Sequence, residues 1–93
     1  MATEVRNNTE RSRYELLVDS EVVGVADYHD QGDVRVFPHT QITARLRGQG
    51  LGATLVQGAL DDARASGRRV LAHCWYVAEF IDANPAYRDL LAA

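Results

Sequence analysis

The first part of the chain alternates apolar and polar positions. Residues 13–19 show this two-residue period and predict a strand, and the valine-rich residues 21–28 predict its hairpin partner. Residues 34–43 predict a third main strand, and residues 3–6 a short strand at the sheet edge. Because proline cannot donate to a β-ladder, Pro38 predicts a bulge or an edge within the third main strand.

The period then changes from that of a strand to that of a helix. Six apolar residues fall on one helical stripe: Leu51, Leu55, Val56, Ala59, Leu60 and Ala63. Gly67 ends this helix, and residues 69–73 predict a short strand. Residues 75–83 predict a second helix that Asn84-Pro85 ends, and residues 86–91 a last helical turn or two. Hairpins followed by one strand–helix–strand crossover predict an α+β fold with a mixed, mostly antiparallel sheet and flanking helices.

Composition limits the function classes. The 93 residues predict a single domain, 1–93, and the balance of 46% hydrophobic and 25% charged residues is typical of a folded protein. A formal charge of −3 argues against nucleic-acid binding. All ten basic residues are arginine, so chemistry that needs a lysine amine is excluded. One cysteine, no apolar signal segment and no membrane-length apolar run predict a soluble, cytoplasmic chain without membrane contact.

A glycine-rich turn opens the first helix. Its sequence is Arg47-Gly48-Gln49-Gly50-Leu51-Gly52-Ala53. Glycines let the backbone approach a ligand, and the free N–H groups of a helix start favour an anion such as phosphate. A Walker A loop fails because it needs lysine, and the dinucleotide fingerprint fails because hairpins, not a parallel βαβ unit, precede the turn. The pattern Arg/Gln-x-x-Gly-x-Gly/Ala fits Arg47, Gly50 and Gly52.

With this pattern, the whole chain resembles a minimal branch of the GNAT acetyltransferases. The matching landmarks are residues 22–28, 36–40, 46–52, 59–64, 74–77 and 84–87. The resemblance implies an acetyl-CoA cofactor and acetyl transfer to an amine. It implies that pantetheine pairs with backbone near Ile42, Thr43 and Ala44, and that the pyrophosphate lies on the turn of Arg47, Gly48, Gln49, Gly50, Leu51 and Gly52. Gln41 stands where some relatives carry an acid, so a carboxylate base is in doubt there.

Two residues are the catalytic candidates. Cys74 lies between a predicted strand end and a helix start, where a thiol pKa falls. The resemblance suggests it as acetyl acceptor or proton carrier, and the alternative is a buried core cysteine. His39 suits a general base near neutral pH, or else a structural role. Tyr87 is a candidate general acid only because the resemblance suggests a tyrosine in a late helix for that role. Packing of the C-terminal turn is the favoured role for its side chain. No metal-ligand spacing occurs, so no metal is expected.

Two functions remain open at this point. The first is an N-acetyltransferase that acts on a small-molecule or protein amine, either by direct attack or through Cys74. The second is a non-catalytic acyl-CoA-binding or protein-interaction module. The acceptor is not readable, and we expect a monomer or a weak homodimer.

Overall fold

The computed structural model describes residues 2–92. Its strands are β1 Thr3–Asn8, β2 Arg13–Val18, β3 Glu21–Gln31, β4 Val34–Ile42 and β5 Arg69–Ala72. Its helices are α1 Leu51–Ala65 and α2 Trp75–Ala83, with short 3-10 helices at Ala44–Leu46 and Pro85–Leu90. The strands form one sheet in the order β1-β2-β3-β4-β5, antiparallel except for the parallel pair β4–β5 that α1 connects. The predicted α+β fold is therefore confirmed.

The hairpins extend further than the alternation predicts. β1 runs on to Asn8, which pairs with Arg13, and β3 runs on to Gln31, which pairs with Val34. These end residues, Asn8 and Gln31, are polar, so no apolar alternation in the sequence shows that the cross-strand pairing continues to them. The predicted turns shorten accordingly.

Helix α1 packs its predicted stripe onto one face of the sheet. All six stripe residues are buried and belong to the core, together with Tyr14, Leu16 and Phe37 from the strands. The helix ends as predicted at Gly67: the N–H of Gly67 donates to the carbonyl of Arg64, and the N–H of Arg68 to that of Ala63. The C-terminal end of α1 is thus fixed by the local sequence.

Helix α2 and the C-terminal 3-10 helix lie beside α1. Arg64 of α1 forms an ion pair of 2.7 Å with Asp89, and the Tyr87 hydroxyl donates to Asp61 at 2.8 Å. The predicted bounds of α2 are confirmed, whereas residues 85–90 form 3-10 helix. Within the described residues no helix is long and apolar enough to cross a bilayer.

A buried polar network joins the sheet to α1. Arg35, only 5% exposed, donates to Asp30 at 2.8 Å and to the Tyr14 hydroxyl at 2.6 Å. That hydroxyl donates onward to Asp62 of α1 at 2.7 Å. The guanidinium also lies 4.2 Å from the ring centroid of Tyr28. The network satisfies a buried charge and fixes the position of α1 on the sheet.

A second buried charge, the carboxylate of Glu15, lies on β2 and is held by side chains of β1 and β2. Glu15 is 2% exposed and accepts hydrogen bonds from Arg6, Asn8 and Arg13 at 3.2, 3.1 and 2.9 Å. Burial alone would raise the pKa of Glu15, but these three donors outweigh it and hold the pKa below its ordinary value.

Candidate functional site

A bulge in β4 begins the site. The β3–β4 register shifts by one position between Asp27 and His29. Across from this step β4 carries two residues, Phe37 and Pro38, against the single Tyr28 of β3. The irregularity predicted at Pro38 is confirmed as a bulge.

Strands β4 and β5 separate just past this bulge. Their parallel pairing ends at Phe37 and Ala72, and the Phe37 carbonyl accepts the N–H groups of His73 at 3.1 Å and Cys74 at 2.8 Å. The Thr43 N–H donates to Val23 on the other side of β4, at 2.7 Å. Because backbone groups alternate along an antiparallel strand, residues 40 and 42 direct their N–H and C=O groups into the split.

The split opens into a pocket of about 620 Å³. Its wall consists of Pro38, His39, Thr40, Gln41, Ile42, Leu46, Arg47, Gly48, Gly50, Leu51, Gly52, His73, Cys74, Trp75 and Tyr76. It therefore joins the edge of β4, the glycine turn, the start of α1 and the start of α2. A pocket where strands diverge beside a helix N-terminus is a common place for a ligand.

The glycine turn presents unpaired backbone amides to this pocket. Gly48 and Gly50 have φ of +83° and +76°, and a Cβ at either position would meet no atom within 4 Å. Among the described residues, the N–H groups of residues 48–53 donate to no protein acceptor. Since these groups also form the positive end of the α1 dipole, the turn is a cradle for an anion.

Gly52 leaves room for the ring of Tyr76. A Cβ on Gly52 would lie 2.7 Å from the Tyr76 hydroxyl oxygen and 3.0 Å from the ring carbon that bears it. The first turn of α1 therefore contacts the first turn of α2 directly. This contact explains the need for glycine at position 52 separately from any ligand.

Arg47 supplies the cationic side chain beside the cradle. It is exposed, and its Nε donates to the Ile42 carbonyl at 3.1 Å, which holds the guanidinium at the mouth of the split. Its neighbour Arg45 is instead paired with Glu21 at 2.8 Å. Within residues 2–92, Arg47 forms no ion pair, so its terminal nitrogens remain available to a phosphate.

The structure places most, but not all, of the expected cofactor residues on the pocket. Ile42 and the turn residues other than Gln49 lie on its wall. Thr43 and Ala44 do not: the Thr43 amide pairs with β3, and Ala44 begins a 3-10 helix. The bulge sets which backbone groups face the split, and the sequence pattern did not reveal that register.

Cys74 lies on the pocket wall at the N-cap of α2. Its Sγ is 3.5 Å from the hydroxyl oxygen of Thr40, and it is partly buried. Burial alone would raise the pKa of the thiol, but the Thr40 hydroxyl and the backbone N–H groups of Val77 and Tyr76 outweigh it and lower the pKa. The expected place at a strand end and helix start is confirmed, and its role in catalysis stays a prediction.

His39 and His73 lie on the pocket wall, whereas Tyr87 does not. His39 is exposed on the wall, with its Nε2 3.5 Å from the Gln41 side-chain oxygen. His73 follows the end of β5 and also lines the pocket. Tyr87 lies off the wall and packs on Phe80, with ring centroids 5.6 Å apart, as a structural residue does. Among the described residues, no cluster of three metal-ligating side chains occurs.

Three wall residues were not among the predicted catalytic or cofactor-binding residues. Thr40 and Tyr76 meet Cys74 and Gly52 through the fold alone, although Thr40 lies two positions beyond the proline bulge. Trp75 is 73% exposed and packs edge-on against Tyr76 at 5.8 Å between centroids. Both aromatic residues begin α2, and their place on the pocket wall follows from the tertiary structure.

The chain matches one family model, described as GCN5-related N-acetyl-transferase, over residues 13–90. No curated protein sequence matches it significantly. An NMR structure of a GCN5-like protein from Staphylococcus aureus is similar, with a TM-score of 0.72, 17% identity, and coverage of 97% of this chain and 88% of the other.

Two larger enzymes share the fold over part of their length. An IAA acetyltransferase from Bacillus cereus gives a TM-score of 0.62 at 16% identity, covering 80% of this chain and 54% of its own. N-acetylglutamate synthase from Neisseria gonorrhoeae, complexed with coenzyme A and N-acetyl-glutamate, gives 0.57 at 20%, covering 66% and 15%. At these identities the likeness establishes the fold.

Proposed function

The chain belongs to the GCN5-related N-acetyltransferase family, and from this we propose that it binds acetyl-CoA in the β4–β5 pocket and transfers the acetyl group to a primary amine. The observation that carries the proposal is the row of unpaired amides at residues 48–53, which opens onto the split between the strands. Such a row suits the pyrophosphate of a nucleotide-derived cofactor.

The residues on the wall fit a coenzyme A molecule. The amides of the glycine turn would hold its pyrophosphate, with Arg47 as a charged donor to the same group. The backbone groups of Thr40 and Ile42, which face the split, would pair with the amides of the pantetheine arm. Of the residues expected to pair with pantetheine, this assignment keeps Ile42 and leaves out Thr43, whose N–H donates to the Val23 carbonyl, and Ala44, whose carbonyl accepts the Arg47 N–H.

Acetyl transfer to an amine requires mainly that the thioester be held in the correct orientation for attack. Acetyl-CoA supplies a thioester carbonyl that is open to attack by an amine. The chain would orient that group beside Cys74 and His39, and its apolar wall residues Pro38 and Trp75 would restrict water.

Two roles are open to the side chains near this point. In direct transfer, the amine would attack the thioester carbonyl, His39 or a water molecule would accept the proton that it loses, and the CoA thiolate would leave. In covalent transfer, the Cys74 thiolate would take the acetyl group with release of the CoA thiolate, and the amine would then displace the Cys74 thiolate and give its proton to His39 or water. The lowered pKa of Cys74 serves the second route, because only the thiolate is nucleophilic.

The alternative of a non-catalytic module is not favoured. A thiol of lowered pKa and two imidazoles lie on the same wall as the cradle, and a binding module has no need of them. Monomer or weak homodimer, and a cytoplasmic location, stay predictions.

Calorimetry with CoA, followed by hydrolysis and transfer assays with acetyl-CoA and an amine panel, tests the proposal. Arg47→Gln should weaken CoA binding by about 1–3 kcal/mol because a charged hydrogen bond to phosphate is lost. Arg45→Gln is the matched control, since Arg45 is exposed, paired with Glu21 and off the wall.

Unchanged CoA affinity in Arg47→Gln would contradict the phosphate contact. Binding without turnover on any amine would favour the non-catalytic module. Full transfer activity in Cys74→Ser would eliminate the covalent route and leave direct attack.

A further inference from the structure

The two edges of the sheet differ in how their backbone groups are used. At one edge the C-terminal segment covers β5: Leu91 bridges to Val70, and the Ala92 N–H donates to the Val70 carbonyl at 2.8 Å. At the other edge, within the described residues, β1 pairs with β2 and with no other strand. Its register is unbroken, and it contains neither the proline nor the bulge that often protects an edge strand from pairing. β1 is therefore an open edge.

The backbone groups of β1 that face this open edge follow from the ladder. The Asp19 N–H donates to the Ala2 carbonyl at 2.9 Å, so Ala2 belongs to the positions that bond to β2. Such positions recur at every second residue of an antiparallel strand, so the even-numbered residues of β1 also bond to β2. The residues between them direct their N–H and C=O groups away from the sheet: Thr3, Val5 and Asn7.

The charged side chains of β1 lie on the sheet face opposite α1. Val5 points toward α1, because a Cβ on Gly58 would lie 2.7 Å from the Val5 Cβ. Glu4 and Arg6 flank Val5 and so point the other way. Glu4 is exposed and forms no ion pair among the described residues. Arg6 donates from its Nε to Glu15 at 3.2 Å and is 53% exposed, so its terminal nitrogens can bind a second acid.

The position of these charges makes one self-pairing of β1 favourable. In an antiparallel pair of two β1 strands, open positions meet open positions when the two-fold axis passes through Glu4, Val5 or Arg6. An axis through Glu4 or Arg6 sets that residue opposite its own copy, and like charges directly opposite are destabilising. An axis through Val5 instead sets Glu4 opposite Arg6 at both ends of the contact. In that register β1 is complementary to itself in charge.

The structure also leaves room for a strand beside β1. A groove of about 310 Å³ runs between β1 and α1, with Thr3 and Val5 on one side and Thr54, Gln57 and Gly58 on the other. An added strand centred on Val5 would direct its own Val5 side chain into this groove. There it would cover the first copy's Val5, which is only partly buried in the monomer.

We propose that two copies of this chain pair through β1 as a symmetric antiparallel dimer, with the two-fold axis at Val5. The two sheets then form one continuous sheet, since β1 is the end strand of each. The contact is one pair of six-residue strands, so the dimer is weak. The pocket between β4 and β5 lies toward the opposite edge of each sheet and stays open.

Sedimentation equilibrium of the full chain tests the proposal. Between about 10 μM and about 1 mM we expect a monomer–dimer equilibrium with no larger species. Glu4→Arg should weaken the dimer at least about 10-fold, because it places an arginine opposite Arg6 at both ends of the contact. Glu10→Arg is the matched control, since Glu10 is exposed in the turn after β1 and its change alters the net charge equally. Urea unfolding of both variants separates a loss of pairing from a loss of fold.

Amide hydrogen exchange of the wild-type protein locates the contact without any variant. A rise from about 50 μM to about 1 mM should slow exchange at Thr3, Val5 and Asn7 several-fold more than at the even-numbered residues of β1, whose amides already bond to β2. A monomer at the highest concentration would overturn the proposal and leave this edge to a strand of another protein. A dimer that Glu4→Arg weakens no more than Glu10→Arg does, or one that slows exchange only elsewhere, would also overturn it.

Discussion

The hydroxyl of Tyr14 connects a buried cation to helix α1, and its removal should cost more than the loss of an ordinary tyrosine hydroxyl. In Tyr14→Phe the ring stays in place, but Arg35 loses an acceptor at 2.6 Å and Asp62 loses a donor at 2.7 Å. The Arg35 side chain is 7% exposed and cannot recruit bulk water freely, whereas that of Asp62 is 44% exposed and can.

The magnitude follows from that difference. Hydrogen bonds to charged groups contribute about 1.5–3 kcal/mol each, and rehydration of Asp62 recovers part of one of them. We therefore expect the free energy of unfolding of Tyr14→Phe to fall by about 2–4 kcal/mol. Urea denaturation followed by circular dichroism at neutral pH measures it, provided that the m-value is unchanged.

Tyr28→Phe is the matched control for this measurement. Tyr28 is also buried, but its hydroxyl donates at 2.8 Å to the neutral amide of Asn7, so its loss should cost only about 0.5–1.5 kcal/mol. If Tyr14→Phe costs no more than Tyr28→Phe, the charged network does not stabilise the contact between the sheet and α1.

Three further predictions concern single residues of the fold and the pocket. Because the folded-state pKa of Glu15 lies below its ordinary value of 4.5, its stabilising effect is present above that value and is lost as the pH falls through the folded-state pKa. The stability difference between wild type and Glu15→Gln, from urea unfolding, should therefore shrink on acidification, and a constant difference would contradict the ion cluster. The rate of Cys74 alkylation by iodoacetamide should reach its midpoint at higher pH in Thr40→Val than in wild type, and Thr40→Ser should restore it; identical profiles would remove Thr40 from the thiolate's environment. Gly50→Ala should lose about 1–2 kcal/mol of stability because φ is +76° there, and Gly50→Asn should lose less; equal stability of all three proteins would contradict the left-handed cap.

The local part of the fold could be predicted from the sequence. The apolar residues from Leu51 to Ala63 recur with the period of a helix and predict α1. Gly67 and Pro85 end their helices through backbone conformations that need no tertiary contact. Pro38 likewise required an irregular ladder, and the structure shows a bulge there.

Features that depend on register and tertiary contact could not be predicted. The bulge decides that residues 40 and 42, and not Thr43, direct backbone groups into the split, and no side-chain pattern records a one-residue shift. The contact between Cys74 and Thr40 joins residues 34 positions apart in the sequence. The burial of Arg35 depends on its contacts with Tyr14 and Asp62, which come from other elements of the fold. Such contacts arise from the packing of separate elements.

An amide NMR titration with CoA tests the central claim most directly, namely that the glycine turn and the split strand edge form the cofactor site. The ¹⁵N–¹H spectrum of the full chain should show its largest shift changes at the amides of residues 48–53, with further changes at Thr40 and Ile42. A spectrum that CoA leaves unchanged, or changes centred away from this pocket, would contradict the claim.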